Sequence, residues 1–391
     1  MFIEILISII LGIILGIITG LIPGIHTNLI ASLALLFQTR LTDAFAGIQI
    51  IITLIIMLII ATYLNIIPSL LLGIPDPDNT NMIRQLHKSI LDGKAYTIIK
   101  QISISLLISS IIFILLTPLL YLIITNTKNL TQFIPIILIL IILLNLRTEK
   151  RKTLAISVIL IAGILGILIF SISELEEPLL PLLSGLFGVP GIILTIKEKP
   201  KLKKQFFPTF TKIPNQIKTI PIYPLLAAFT SFIPAISSSQ VTSIIKRKKD
   251  NYVILTSVFT ITTVLVSIIT VYSVNKARNG VVLSLAQFVK SLNEINILII
   301  ILTIVIAAIL GSLLLIKLSK IILSNIEKIN LKIISISVLI LIIFVTFMLS
   351  DFYGLIVIII TTSLGLLTTK LELNRNYLMA ALVIPTIFYF I

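Results

Sequence analysis

Stretches of about 20 residues with almost no charge recur along this chain, each long enough to cross a bilayer as one helix. Phe2–Leu21 holds a single charged side chain, Glu4, and Tyr252–Val274 holds none. Only 12% of the residues are charged, too few to coat a soluble globule. The sequence is therefore read as an all-α polytopic membrane protein with about eleven spans. They run Phe2 to Leu21, Ala44 to Leu64, Tyr96 to Thr125, Leu130 to Leu146, Thr153 to Ser171 and Pro178 to Ile196, then Tyr252 to Val274, Ile295 to Leu318, Lys332 to Leu349, Phe352 to Thr369 and Tyr377 to Ile391.

The formal charge of +15 comes in separate clusters between apolar runs. That is the pattern of cytoplasmic loops, not of a nucleic-acid footprint, so no nucleic-acid partner is expected. The chain has no cysteine, which excludes disulfides and thiolate metal sites. Arg147 to Lys152 and Lys197 to Lys218 are basic and assigned inside, while Ser173 to Glu177, with Glu174, Glu176 and Glu177, is assigned outside. Counting crossings back from these loops, with Phe2–Leu21 as an uncleaved first span, puts the N-terminus in the cytoplasm of a multi-pass cell-membrane protein.

Two further apolar runs are interrupted by small polar residues. Ile22 to Phe37 contains Pro23, Gly24, His26, Thr27 and Asn28, and Ile222 to Ile245 contains Pro234, Ala235, Ser237, Ser238, Ser239 and Gln240. Freed backbone groups are costly in lipid and tolerated where they are buried in protein or line a cavity. In the first run Pro23 ends a half-helix, Gly24 permits a tight turn, and Thr27 and Asn28 are placed to cap the helix that follows. In the second, Ser237 to Gln240 suit the same capping role, and their oxygens suit a sodium ion. A half-helix N-terminus presents partial positive charge to an anion, and His26 adds a donor. These nine residues (Pro23, Gly24, His26, Thr27, Asn28 and Ser237 to Gln240) are the candidate substrate-binding set.

Charge parity gives both ends of the second interrupted run to the inside and both ends of the first to the outside. Opposed re-entrant hairpins of this kind mark an inverted-topology repeat. The division that follows is a first repeat over 1–147, a connecting span over 148–172, a second repeat over 173–349 and C-terminal spans over 350–391. Gly12, Gly16, Gly20 and Gly24 recur every fourth residue and form a stripe for close helix packing, and Gly185, Gly188 and Gly191 read as the same device.

Several motifs together resemble the TctA-type permease subunit of tripartite tricarboxylate transporters, in its archaeal branch. They are Gly20 to Gly24, Ile67 to Asp78, Leu183 to Pro190, Phe232 to Gln240, Tyr272 to Gly280 and Arg375 to Pro385. Two positions depart from the family pattern: Pro234-Ala235 stands for Pro-Gly, and Pro75-Asp76-Pro77-Asp78 for a neutral Pro-Gly turn. The resemblance implies an ion-coupled secondary carrier for small organic anions, served in some members by a small membrane subunit and an extracytoplasmic binding protein. The protein is expected to work as a homo-oligomer in the membrane lipid, without a cofactor beyond Na+ or H+ as coupling ion.

Asn65, Asp76, Asp78 and Asn79 form the densest polar cluster beside a span and are the candidate coupling-ion residues, with helix capping as the competing use. Arg84, His87 and Lys88 follow on one helical face, as a solvated surface over anionic lipid. The competing function is an intramembrane enzyme on a lipid-linked substrate using Asp76, Asp78 and His87. No Walker loop, nucleophile elbow or metal-binding histidine pair supports an enzyme, and without ATP machinery uphill transport must draw on an ion gradient.

Overall fold

The computed structural model describes residues 2–23, 25–72, 82–127, 132–147, 149–175, 177–198, 203–231, 233–245, 251–274, 279–289 and 293–391. Among them the regular structure is helical throughout. The first half contains α1 (Phe2–Leu21), α2 (Thr27–Leu36), α3 (Gln38–Ala44), α4 (Gly47–Leu64), α5 (Ile66–Leu72), α6 (Met82–Leu91), α7 (Ala95–Thr127), α8 (Ile134–Arg147) and α9 (Lys152–Phe170). The second contains α10 (Leu179–Leu183), α11 (Val189–Glu198), α12 (Ile222–Thr230), α13 (Ser238–Ile245), α14 (Tyr252–Val274), α15 (Gly280–Phe288), α16 (Glu294–Ser324), α17 (Leu331–Lys370) and α18 (Ala380–Phe390). Among the described residues, eight helical stretches are long and apolar enough to cross a membrane. The protein is a polytopic membrane protein.

Four helices form the centre. α4 and α14 are hydrophobic on all sides and buried on nearly all sides, as such helices must be. α4 packs on α16, α14 packs on α7, and α7 crosses α16. Around this core α15 lies on α4 and α6 lies on α14, the same relation with the partners exchanged. Lipid gives apolar helices little reason to associate, so small and polar side chains carry much of the contact. At the α7–α16 crossing the Ser103 and Ser312 hydroxyls are 2.7 Å apart, and the Tyr63 hydroxyl of α4 lies 3.4 Å from Ser110. Gly311 makes room for the Tyr63 ring, since a Cβ there would sit 3.0 Å from it.

The glycine stripe packs α1 against α4. A Cβ on Gly12, Gly16 or Gly20 would come within 2.8 Å of Ile56, Ile60 or Leu64 respectively. Because the numbers rise together, the two helices are parallel. Their starts are joined by the Gln49 amide donating to the Glu4 carboxylate at 2.6 Å. The chain must therefore return, between Leu21 and Gly47, to the end where α1 began. It does so beside α15: Asn28 contacts Gly280, Gln38 donates to the Gln287 carbonyl at 3.3 Å, and Gly47 meets Phe288. The sequence reading makes α1 antiparallel to α4, with a separate hairpin between them; in the structure α1 runs parallel to α4, and residues 22–46 return to the end where α1 began. Hydrophobic length cannot separate these cases, because a 20-residue apolar helix serves equally in either direction.

The second hairpin belongs to the other end. α4 and α5 form one stretch from Gly47 to Leu72, α6 packs on α5, and α7 starts directly after α6. There Gln101 of α7, Lys212 and Gln216 before α12, and Asn251 before α14 line a common depression. The limbs α12 and α13 thus begin and finish at the Gln101 end, whereas α1 and α2 begin and finish at the Gly47 end.

Two local breaks refine the spans. Asp351, at φ 46° and ψ −151°, divides α17, and Gly354 lies against both Ser350 and Thr346. A continuous helix would hold positions 346 and 354 about 12 Å apart, so the chain reverses there, where the sequence analysis separates Leu349 from Phe352. Between α10 and α11, Ser184–Gly188 form a π turn two residues before Pro190, whose missing N–H removes one α-type bond. Gly185 in that turn packs on Thr361, in keeping with its expected close-packing role.

Candidate functional site

At the tip of the first hairpin, Pro23 sits in a turn, half-buried, and Gly24 lies outside the described residues. His26 adopts extended backbone (φ −84°, ψ 149°) and is itself the N-cap of α2, its Nδ1 accepting from the Asn28 N–H at 3.2 Å. The sequence analysis gives that role to Thr27 and Asn28. Thr27 instead starts the helix and is buried, and Asn28 is exposed and turned outward. Asn28 Oδ1 accepts from the Val281 N–H at 3.3 Å, a donor also bound by the Asn279 cap at 2.8 Å. A side chain at Gly280 would sit 3.1 Å from Asn28 Oδ1. The N-termini of α2 and α15 therefore converge, bringing two partial positive charges together. Asn279 and Gly280 are functional candidates that the sequence offers only as the end of the motif Tyr272 to Gly280; the further signal is an Asn at a helix start.

The second tip is built differently. Ala235 has φ 63°, the left-handed region where glycine is at ease, at the position where the family pattern has glycine. Ser237 and Gln240 make a reciprocal capping box: Gln240 N–H donates to Ser237 Oγ at 3.2 Å, and Ser237 N–H donates to Gln240 Oε1 at 2.9 Å. The expected capping role therefore falls to these two residues. Ser237, Ser238, Ser239 and Gln240 are all buried. Ser239 Oγ donates to Asn376 Oδ1 at 2.7 Å, Gln240 Nε2 donates to the Asn376 carbonyl at 3.4 Å, and the Tyr252 hydroxyl donates to the Ser239 carbonyl at 2.6 Å.

Asn376 thus brings the C-terminal turn Arg375–Met379 into the site, although its sequence offers no periodic or capping clue to such a contact. Next to it Tyr377 donates to the Asn145 carbonyl and to Glu149 Oε2, both at 3.3 Å. Asn145 Oδ1 accepts from Ser243 at 2.8 Å, tying α8 to the returning limb α13.

Of the candidate coupling-ion residues, Asp76, Asp78 and Asn79 lie outside the described residues. Asn65 is half-buried at the α4–α5 junction, where its carbonyl accepts from the Ser69 hydroxyl at 2.9 Å. His87 donates from Nδ1 to the Leu70 carbonyl at 3.1 Å, a bond that fixes α6 on α5. The described hydrogen bonds lead the two tips to different elements, the first to α15 and the second to the C-terminal turn and α14.

A family model described as the tripartite tricarboxylate transporter TctA family matches residues 6–380. An uncharacterized protein of the archaeon Methanocaldococcus jannaschii is 31% identical over 384 residues, covering 94% of each chain. No solved structure matches the chain.

Proposed function

Because the chain belongs to the TctA family of tripartite tricarboxylate transporters, a transporter family rather than an enzyme family, we propose that it is an ion-coupled secondary carrier for small organic anions, carboxylates in particular. The observation that supports this most is the opposed placement of the two interrupted helices, one returning to the Gly47 end and the other to the Gln101 end. The exchanged pairing of α4 with α16 and α14 with α7 supports an inverted repeat in the same way.

The first tip is the anion-facing side of the carrier. His26, Thr27 and Asn28 start α2, and Asn279 starts α15, so an exposed carboxylate there meets backbone N–H groups and two helix dipoles. The buried second tip, Ser237 to Gln240, is the half that stays closed while the first is accessible. Sodium or a proton supplies the coupling, with Asn65, Asp76, Asp78 and Asn79 the residues proposed for it. A small membrane subunit and a binding protein deliver the substrate, as in other tripartite systems.

Orientation follows from the same path. Lys203, Lys204, Lys212 and Lys218 lie at the Gln101 end, which the positive-inside rule makes cytoplasmic. We infer that the N-terminus, at the other end beside Gln49, faces outside. Parity counting with α1 antiparallel to α4 gives the opposite side.

The direct test is uptake of radiolabelled di- and tricarboxylates into proteoliposomes under an imposed Na+ or H+ gradient. Gradient-dependent uptake that is lost in Asn28→Ala and in Ser238→Ala supports the carrier. Uptake of none of these anions under either gradient, by protein that remains folded, would refute it.

A further inference from the structure

Residues 203–214 form no helix, yet they are fixed along the first turns of α7. The Phe206 N–H donates to the Gly93 carbonyl at 3.0 Å, and Gln205 joins the Ala95 N–H to the Ile90 carbonyl. Further along α7, Lys100 Nζ donates to the Pro208 and Thr209 carbonyls at 2.9 and 3.1 Å, and Gln101 donates to the Lys212 carbonyl at 3.2 Å. The Phe207 ring packs on Tyr96 with centroids 4.9 Å apart. From Ala95 to Gln101 the helix advances about 9 Å, so the strap reaches from the mouth of this span down toward the level where the hydrocarbon begins.

Non-helical backbone at that depth needs internal partners, and α7 supplies them to three strap carbonyls, those of Pro208, Thr209 and Lys212. Among the described residues, none covers the other face of the strap. Phe206 is 68% exposed, Phe210 91% and Ile213 67%, and the exposed Lys203, Lys204 and Lys212 alternate with them. There is no acidic residue anywhere from 203 to 221. In water three large apolar side chains held outward would be an unfavourable arrangement; at a bilayer surface the same arrangement buries apolar tips among acyl chains and leaves the ammonium groups at headgroup level.

We infer that this strap is an interfacial anchor: Phe206, Phe210 and Ile213 insert into the leaflet at the Gln101 end, and Lys203, Lys204 and Lys212 bind the phosphate groups of anionic lipids. The strap leads directly to the second hairpin, whose first limb begins at Ile222, so its grip on the leaflet fixes one foot of that hairpin relative to the membrane surface.

The chain contains no tryptophan, so Phe210→Trp in the full-length protein gives a single emitter at the most exposed position. In proteoliposomes containing phosphatidylcholine or phosphatidylglycerol brominated in the upper acyl chain, insertion predicts blue-shifted emission quenched about twofold by brominated lipid. Quenching should be stronger with brominated phosphatidylglycerol than with brominated phosphatidylcholine at equal mole fraction. Adding Lys203→Gln, Lys204→Gln and Lys212→Gln should abolish that difference while leaving the blue shift. Red-shifted emission quenched by aqueous iodide, with no effect of bromine, would overturn the anchor. Equal quenching by the two lipids in the Phe210→Trp protein would overturn the anionic preference. Blue-shifted emission quenched by neither reagent would mean that a protein surface, not lipid, covers the strap.

Discussion

The two hairpins share a plan but are held in opposite ways. The first is secured along its stem, where three glycines of α1 let α4 approach to backbone distance, while at its tip His26 and Asn28 are exposed and Asn28 touches one short helix. The second has short limbs of nine and eight residues and is secured at its tip, by the capping box and by Asn376 and Tyr252. A hairpin fixed along its stem can open at its tip without losing its main packing. A hairpin fixed at its tip must break buried hydrogen bonds to do the same. In the proposed carrier, the first tip is the accessible one and the second the closed one.

That contrast sets an order of effects that thermal unfolding in detergent, with transport assayed in parallel, can break or sharpen. The largest loss is expected for Gly16→Leu, because an added side chain must displace Ile60 and the α4 backbone; overpacking of this sort costs roughly 3 kcal/mol or more. Asn376→Ala should follow, since the buried Ser239 loses its Asn376 acceptor, at about 2 kcal/mol. It should also loosen the second tip. Asn376→Asp, which keeps the acceptor for Ser239, should recover most of the stability.

His26→Ala removes an exposed helix cap and should cost about 1 kcal/mol, with His26→Ser largely restoring it. Ala235→Gly should act in the other direction, stabilising the protein by about 1 kcal/mol through relief of a left-handed alanine. If His26→Ala proves more damaging than Asn376→Ala, the assignment of a light first tip and a locked second tip is reversed.

Much of this arrangement is legible before any coordinates. The spans, both interruptions and the glycine stripe follow from local composition, because each depends only on neighbours a few residues away. The reversal at Asp351 was likewise visible as a charged break between Leu349 and Phe352. What the sequence hides is relative direction. Nothing in the sequence of α1 shows that it runs parallel to α4 rather than against it. Asn376 was hidden for the same reason, as its partners lie 136 and 137 positions away. The His26 cap was missed because short polar side chains are the usual caps and imidazole seldom takes that place.

The opposed placement of the hairpins is tested most directly by single-cysteine accessibility, in a chain that has no cysteine of its own. Thr39→Cys, just beyond the returning limb of the first hairpin, and Lys218→Cys, just before the second, would each be probed with a membrane-impermeant maleimide on sealed, right-side-out vesicles. Thr39→Cys should label from outside, and Lys218→Cys only after the vesicles are opened. Labelling of both from the same side would contradict the arrangement on which the carrier mechanism depends.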